Sequence, residues 1–135
     1  MIRNDFIYKD FDTAVDSFRL IPPQPCKNEF LLKHIAQHSF KNTAEGWVLK
    51  SDATIMRSYQ YEDLTEIFMD LKCPIYLVYG LMSQIFSQEL LDYTTYVGNL
   101  PEERVIGIAG AMHHLFIDEP ITFVKEVKKL LNMRN

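Results

Sequence analysis

The second half of the chain holds two short, largely apolar segments, and these constrain the fold more than any other feature. They are residues 75–79 (IYLVY) and residues 105–108 (VIGI). Runs of β-branched and aromatic residues without a polar face predict strands buried on both sides, which is typical of parallel sheets. Parallel strands need a crossover connection, and residues 87–97 between the two segments have helical spacing. The sequence therefore predicts an α/β fold built on a right-handed strand–helix–strand unit.

A last helix is predicted over residues 119–132, opened by Asp118-Glu119-Pro120 because proline is favoured in a first helical turn. The first half differs in character. Helical patterns near residues 12–19, 28–39 and 61–71 predict three helices, with Asp12 and Asn28 as N-caps, and no strand. The segment from Asn42 to Asp52 is expected to be irregular, with Gly46-Trp47 as its turn. We therefore divide the chain into a helical region, 1–72, and a β-α-β-α region, 73–135.

Composition excludes several classes of function. The net charge is −4 and there is no run of Lys or Arg, so neither a nucleic acid nor a membrane surface is an expected partner. No apolar run reaches about 18 residues and no signal peptide is recognisable at the start, which predicts a cytoplasmic protein without a membrane span. Cys26 and Cys73 lack metal-binding spacing and are expected to be reduced packing thiols.

Two parallel strands do not form a sheet that is stable alone, because each needs further strands beside it and helices over both faces. The chain therefore supplies the end of an α/β sheet without its beginning. We expect either self-association or a partner chain that contributes the missing strands.

A pair of histidines follows the second strand. Ala109-Gly110-Ala111 ends the strand with small residues, and His113 and His114 come directly after Met112. Ligands of open α/β sheets bind just outside the carboxyl ends of the strands, so a histidine here can act as a general base. From the residues alone, the alternative is that both histidines belong only to the loop that precedes the last helix.

Two long segments resemble known proteins. CPIYLVYGLMSQIFSQELLDY (residues 73–93) and IAGAMHHLFIDEPITFVKEVKKLL (residues 108–131) are similar to the last two strand–helix units of the α/β-hydrolase fold. FRLIPPQP (residues 18–25), HIAQHS (residues 34–39) and GW (residues 46–47) resemble the cap of one bacterial branch of that family. The resemblance implies the C-terminal part of an α/β hydrolase, with a helical cap followed by two β-α units.

The resemblance also implies roles for individual residues. His113 matches the catalytic histidine, which would act as general base toward a serine, whereas His114 would be a packing residue. The loop at residues 80–84, where many members carry the triad acid, has no carboxylate, and Asp52 and Asp118 are the possible replacements. A substrate pocket would be lined by Trp47, Phe18 and Met82, although the aromatic residues suit the interior of a cap equally well.

The nucleophile is missing. The five glycines cannot form a G-x-S-x-G elbow, and a base without a nucleophile performs no acyl transfer. We expect the chain alone to be inactive and, once completed, to cleave esters or similar bonds in small molecules. The alternative is a non-catalytic remnant that binds a partner or a ligand. No cofactor or metal is expected, because His34 and His38 form HIAQH without the glutamate of H-E-x-x-H.

Overall fold

The structure is a computed structural model that describes residues 6–51, residue 60 and residues 62–132. It divides into two compact units, Met1–Tyr61 and Glu62–Asn135. The division into a cap over 1–72 and a hydrolase-like region over 73–135 is a functional interpretation and stays a prediction.

The first unit combines two helices with a β-hairpin. Its elements are α1 (Phe11–Asp16), α2 (Glu29–Ser39), β1 (Phe40–Thr43) and β2 (Gly46–Leu49). The strands pair antiparallel from Phe40 opposite Leu49 to Thr43 opposite Gly46. Its buried apolar side chains are Ala14, Val15, Leu20, Ala36 and Phe40.

The hairpin shows that the prediction of no strand in this half, with an irregular segment from Asn42 to Asp52, was wrong. Trp47 lies in β2 and not in a turn. The backbone N–H of Tyr8 donates to the carbonyl of Trp47 at 2.9 Å, and the N–H of Trp47 donates to the carbonyl of Tyr8 at 2.8 Å. Local sequence patterns cannot reveal these two hydrogen bonds, which support the hairpin, because Tyr8 is remote from the hairpin in sequence. Gly46 is needed at the turn, since its φ of 133° disfavours other residues and a Cβ there would lie 2.5 Å from the Tyr8 carbonyl oxygen.

Helix α1 is capped by Asp10, and the prediction of Asp12 as the cap was wrong. Asp10 Oδ1 accepts from the backbone N–H of Thr13 and Oδ2 accepts from the Thr13 hydroxyl, each at 2.8 Å. The backbone hydrogen bond from Thr13, followed by the hydroxyl bond, holds the pKa of Asp10 below its ordinary value.

We expect the cap to make α1 sensitive to acid. A lowered pKa in the folded state means that Asp10 stabilises the fold while it is ionised, and that this contribution is lost as the pH falls through the folded-state pKa. Asp10→Ala should lower the melting temperature at neutral pH. It should also reduce the further drop in melting temperature that acid causes below about pH 4, the ordinary aspartate pKa. Asp12→Ala is the matched control, and an equal response of the two variants in thermal melts at pH 7 and pH 3 would contradict the assignment.

The second unit contains the predicted parallel strands. Its elements are α3 (Thr65–Met69), β3 (Leu77–Gly80), α4 (Gln88–Val97), a 3-10 turn (Glu102–Arg104), β4 (Val105–Ile108), α5 (Leu115–Asp118) and α6 (Pro120–Asn132). Strands β3 and β4 are parallel neighbours, from Leu77 opposite Val105 to Gly80 opposite Ile108, which confirms the predicted topology. The connecting helix α4 is capped as predicted, because Ser87 Oγ accepts from the backbone N–H of Leu90 at 3.2 Å.

Several element boundaries of the second unit differ from the predicted ones. Helix α3 begins at Thr65, since the carboxylate of Asp63 accepts from its backbone N–H at 3.0 Å, a local bond that competes with an earlier helix start. Strand β3 begins at Leu77 because its pairing with β4 begins there. Asp118 ends α5 instead of opening the last helix, which starts at Pro120.

The second unit buries a small interior and leaves much apolar surface exposed. Ile108 and Ile117 are each only 1% exposed, and Ala111, Val97 and Leu130 are buried as well. In the described part of this unit the sheet has only two strands. Its exposed large apolar residues include Leu64, Ile67, Met69, Leu71, Leu81, Met82, Ile85, Ile121, Val124 and Leu131. So many exposed apolar side chains in one unit suit a surface that another polypeptide covers.

We expect the isolated chain to bind an apolar dye such as anilinonaphthalene sulfonate and to increase in mass with concentration. The physical reason is the exposed apolar surface together with the unpaired outer edges of β3 and β4 among the described residues. Light scattering across a concentration series checks this expectation. A species of constant 15.8 kDa mass that binds no dye would contradict it.

Candidate functional site

Two loops meet at the carboxyl ends of β3 and β4. The N–H of Leu81 donates to the carbonyl of Ile108 at 3.1 Å, and the N–H of Met82 donates to the carbonyl of Ala111 at 2.9 Å. Since Ala111 lies two residues before His113, the loop after β3 is bonded to the loop that carries the histidines. The structure therefore brings Met82 and His113, both predicted site residues, into one pair of loops.

Gly80 allows this close approach. A Cβ placed on Gly80 would lie 2.0 Å from the carbonyl oxygen of Met112 and 2.5 Å from that of Ala111. Both are backbone atoms, which cannot turn aside as a flexible side chain can. The path of the histidine loop therefore depends on the absence of a side chain at Gly80.

Asp118 holds the same loop through a hydrogen bond to its backbone. Its side chain is 5% exposed, and it is the one buried charged residue in the described part of the chain. Its Oδ2 atom accepts a hydrogen bond from the backbone N–H of Met112 at 2.7 Å. Within the loop, Gly110 has a φ of 77°, a conformation that favours glycine.

The two histidines differ in their surroundings. His113 is exposed, and its imidazole has no hydrogen-bond partner among the described residues. His114 is half-buried and lies at the N-terminus of α5, where its carbonyl accepts from the N–H groups of Ile117 and Asp118. The rings lie 5.4 Å apart at 85°, and the ring of Phe116 lies 6.3 Å from that of His114. An imidazole with open nitrogens can accept and donate a proton, so His113 is the better suited of the two to acid–base chemistry.

The remaining predicted site residues belong to the first unit. Trp47 is half-buried, with its ring 4.6 Å from that of Phe11. The Phe18 ring lies 6.5 Å from the Phe40 ring. Asp52 lies outside the described residues, and the shared substrate pocket of Trp47, Phe18 and Met82 stays a prediction.

No cluster of three or more potential metal ligands occurs among the described residues. His34 and His38 are both exposed, with ring centroids 4.5 Å apart. Cys26 is half-buried and Cys73 is exposed, and both are free thiols. None of the helices in the described ranges has the length and apolar character that crossing a membrane requires.

Sequence reasoning missed two residues that shape the site. Residue 80 was assigned only to the loop after the first strand, and Asp118 to a helix start or a possible triad acid. A glycine directly after an apolar strand was a usable signal for close backbone approach. The bond from Asp118 to Met112 depends on the short helix α5, which no sequence pattern indicated.

Solved structures include proteins with a similar architecture. No protein-family model and no curated protein sequence matches the chain. Among solved structures, the chain is similar to E-2-(acetamidomethylene)succinate hydrolase, with a TM-score of 0.75 and 18% identity over 94% of this chain. It is also similar to a thioesterase domain from the curacin biosynthetic pathway, with a TM-score of 0.63 and 22% identity over 91% of this chain.

These likenesses show that the chain has an α/β-hydrolase fold over the region compared. At such low identities they show the fold alone. The chain spans about half the length of the two structures, 47% of the first and 43% of the second. The helices and the parallel strand pair are consistent with a C-terminal portion of that fold.

Proposed function

We propose that this chain is the cap and base-bearing portion of an α/β-hydrolase-type hydrolase that cleaves an ester or a similar acyl bond in a small molecule. One observation carries the proposal. His113 presents an exposed imidazole from a tightly held loop at the carboxyl ends of two parallel strands. A hydrolase and a thioesterase domain among the similar structures support acyl transfer as the reaction class.

The proposed reaction uses His113 twice. The imidazole takes the proton of a serine hydroxyl while the serine oxygen attacks the acyl carbon, and it then gives that proton to the departing alcohol, thiol or amine. Water then attacks the acyl carbon of the acyl-serine with the same two proton transfers through His113, so that the acid is released and the serine is regenerated. The serine and the oxyanion donors would come from polypeptide beyond these 135 residues, together with further parallel strands beside β3 and β4.

The residues that would assist His113 are those that the sequence indicated. The assignment of Trp47, Phe18 and Met82 to the apolar walls of an acyl pocket stays a prediction of the sequence. For the carboxylate that orients the imidazole, the sequence offered Asp52 and Asp118, and of these only Asp52 is kept as a prediction.

Activity of the chain with and without the missing strands tests the proposal. The coding sequence upstream of codon 1 and the proteins that copurify with the chain are searched for G-x-S-x-G, and that polypeptide is produced jointly with the chain. The chain alone should hydrolyse 4-nitrophenyl esters only slowly and without saturation, because a free imidazole has no bound substrate to act on. The assembly should show saturable turnover and a serine that a fluorophosphonate probe labels.

Two results would contradict the proposed function. An assembly with an intact serine elbow and no turnover on esters or acyl thioesters would favour the non-catalytic alternative, a protein that binds a ligand or a partner. Saturable turnover by the purified chain alone that survives His113→Ala would mean that the site lies elsewhere.

A further inference from the structure

We infer that Asp118 is a positioning residue that fixes the peptide preceding His113, and not the acid that orients the imidazole. The inference rests on the proposed role of His113 as the base. It assigns Asp118 a bond to the backbone of the loop in place of a bond to the histidine ring.

The burial of Asp118 is the first observation. A carboxyl group that is 5% exposed would be costly to bury without hydrogen-bond partners. Its Oδ2 accepts from the N–H of Met112 at 2.7 Å, a short bond to the residue directly before His113. The carboxylate is therefore used to hold the loop in place.

The second observation is that the backbone of Met112 is restricted at both its N–H and its carbonyl. Its N–H is bonded to Asp118. Its carbonyl oxygen lies so close to Gly80 that a Cβ on that residue would be 2.0 Å away. These two contacts restrict the two consecutive peptide groups, Ala111–Met112 and Met112–His113, that precede the His113 side chain. A general base must be placed to within about 0.5 Å, so such restraint bears directly on catalysis.

A triad acid would behave differently. It accepts a hydrogen bond from the imidazole itself, and an asparagine in its place leaves the wrong tautomer and lowers kcat by about 10⁴. A positioning residue that bonds a backbone N–H tolerates asparagine, because the amide oxygen of asparagine is also an acceptor. Asp118→Asn and Asp118→Ala therefore separate the two roles.

Hydrogen exchange of the Met112 amide, followed by NMR in the 135-residue chain, tests the contact without any activity. We expect Asp118→Ala to speed exchange at Met112 by at least about tenfold, since the acceptor is lost, and Asp118→Asn to change it by less than about threefold. Ile117→Val is the matched control, because it loosens the same short helix at a buried position and keeps the acceptor. If Asp118→Ala does not fold, Asp118→Asn still tests the inference. Loss of the protection of the Met112 amide from exchange in a folded asparagine variant would overturn it. Unchanged Met112 exchange in a folded Asp118→Ala would overturn it as well.

The same variants in the assembled hydrolase test the catalytic consequence. Asp118→Ala should lower kcat by about 10–100-fold with KM within about twofold, because a displaced base still allows substrate to bind. Asp118→Asn should stay within about threefold of the unchanged protein. A loss in Asp118→Asn as large as that of His113→Ala would show that Asp118 is the triad acid and overturn the inference. If the unaltered assembly has no turnover, the proposed function fails, and the exchange of the Met112 amide still decides the role of Asp118.

Discussion

His113→Ala is expected to lower kcat/KM of the assembled hydrolase by about 10²–10⁴, the range that a positioned general acid–base group supplies. The exposed imidazole of His113 would then no longer accept the serine proton or protonate the leaving group. Steady-state rates on 4-nitrophenyl esters measure the loss. Added imidazole should restore part of the activity, because the space left by the side chain opens to solvent.

His114→Ala is the matched control from the same loop. The His114 ring packs near Phe116, so its removal should affect stability more than rate and leave kcat/KM within about tenfold. A larger loss of activity in His114→Ala than in His113→Ala would mean that the roles of the two histidines are reversed.

Gly80→Ala is expected to lower the free energy of unfolding by about 2–3 kcal/mol, in the upper part of the range for overpacked sites. The added Cβ would meet the Met112 carbonyl oxygen at 2.0 Å, so the backbone of the histidine loop would have to move. Urea denaturation of the chain measures the stability. In the assembly, the same variant should lose activity, because the displaced segment carries His113.

Gly98→Ala provides the comparison. Gly98 ends α4 with a φ of −79°, which any residue adopts, and a Cβ there would lie 3.1 Å from the nearest atoms, two of which belong to side chains. We expect a change of less than about 1 kcal/mol, since alanine also restricts the unfolded chain. An equal loss of stability at the two positions would show that the contact of Gly80 with the loop is unimportant.

The second unit was largely predictable because its signals are local. Residues 75–79 and 105–108 are apolar runs, and Ser87 precedes an amphipathic helix, so the parallel pair and its crossover followed from pattern alone. The resemblance to α/β hydrolases rested in part on the same segments, and structural comparison confirmed that fold.

The features that sequence reasoning missed depend on contacts between distant residues. The hairpin of β1 and β2 is joined to Tyr8 across a long stretch of chain, and nothing in residues 40–49 announces that pairing. The cap of α1 was placed two residues late because Asp10 and Asp12 are equally good cap residues, and only the bonds to Thr13 decide between them. The role of Asp118 similarly needed the turn of α5, which brings its carboxylate back to Met112.

The contacts that fix the histidine loop have a consequence for association. Gly80, Met82 and Asp118 all belong to the second unit, and so does His113. In the proposed assembly, the loop would therefore be ordered by the folding of that unit, before any partner strands are added. Ordering a flexible loop during association would weaken binding by the conformational entropy lost, and a loop that is already ordered avoids that loss. A base held in this way can meet a nucleophile from another segment with little further rearrangement.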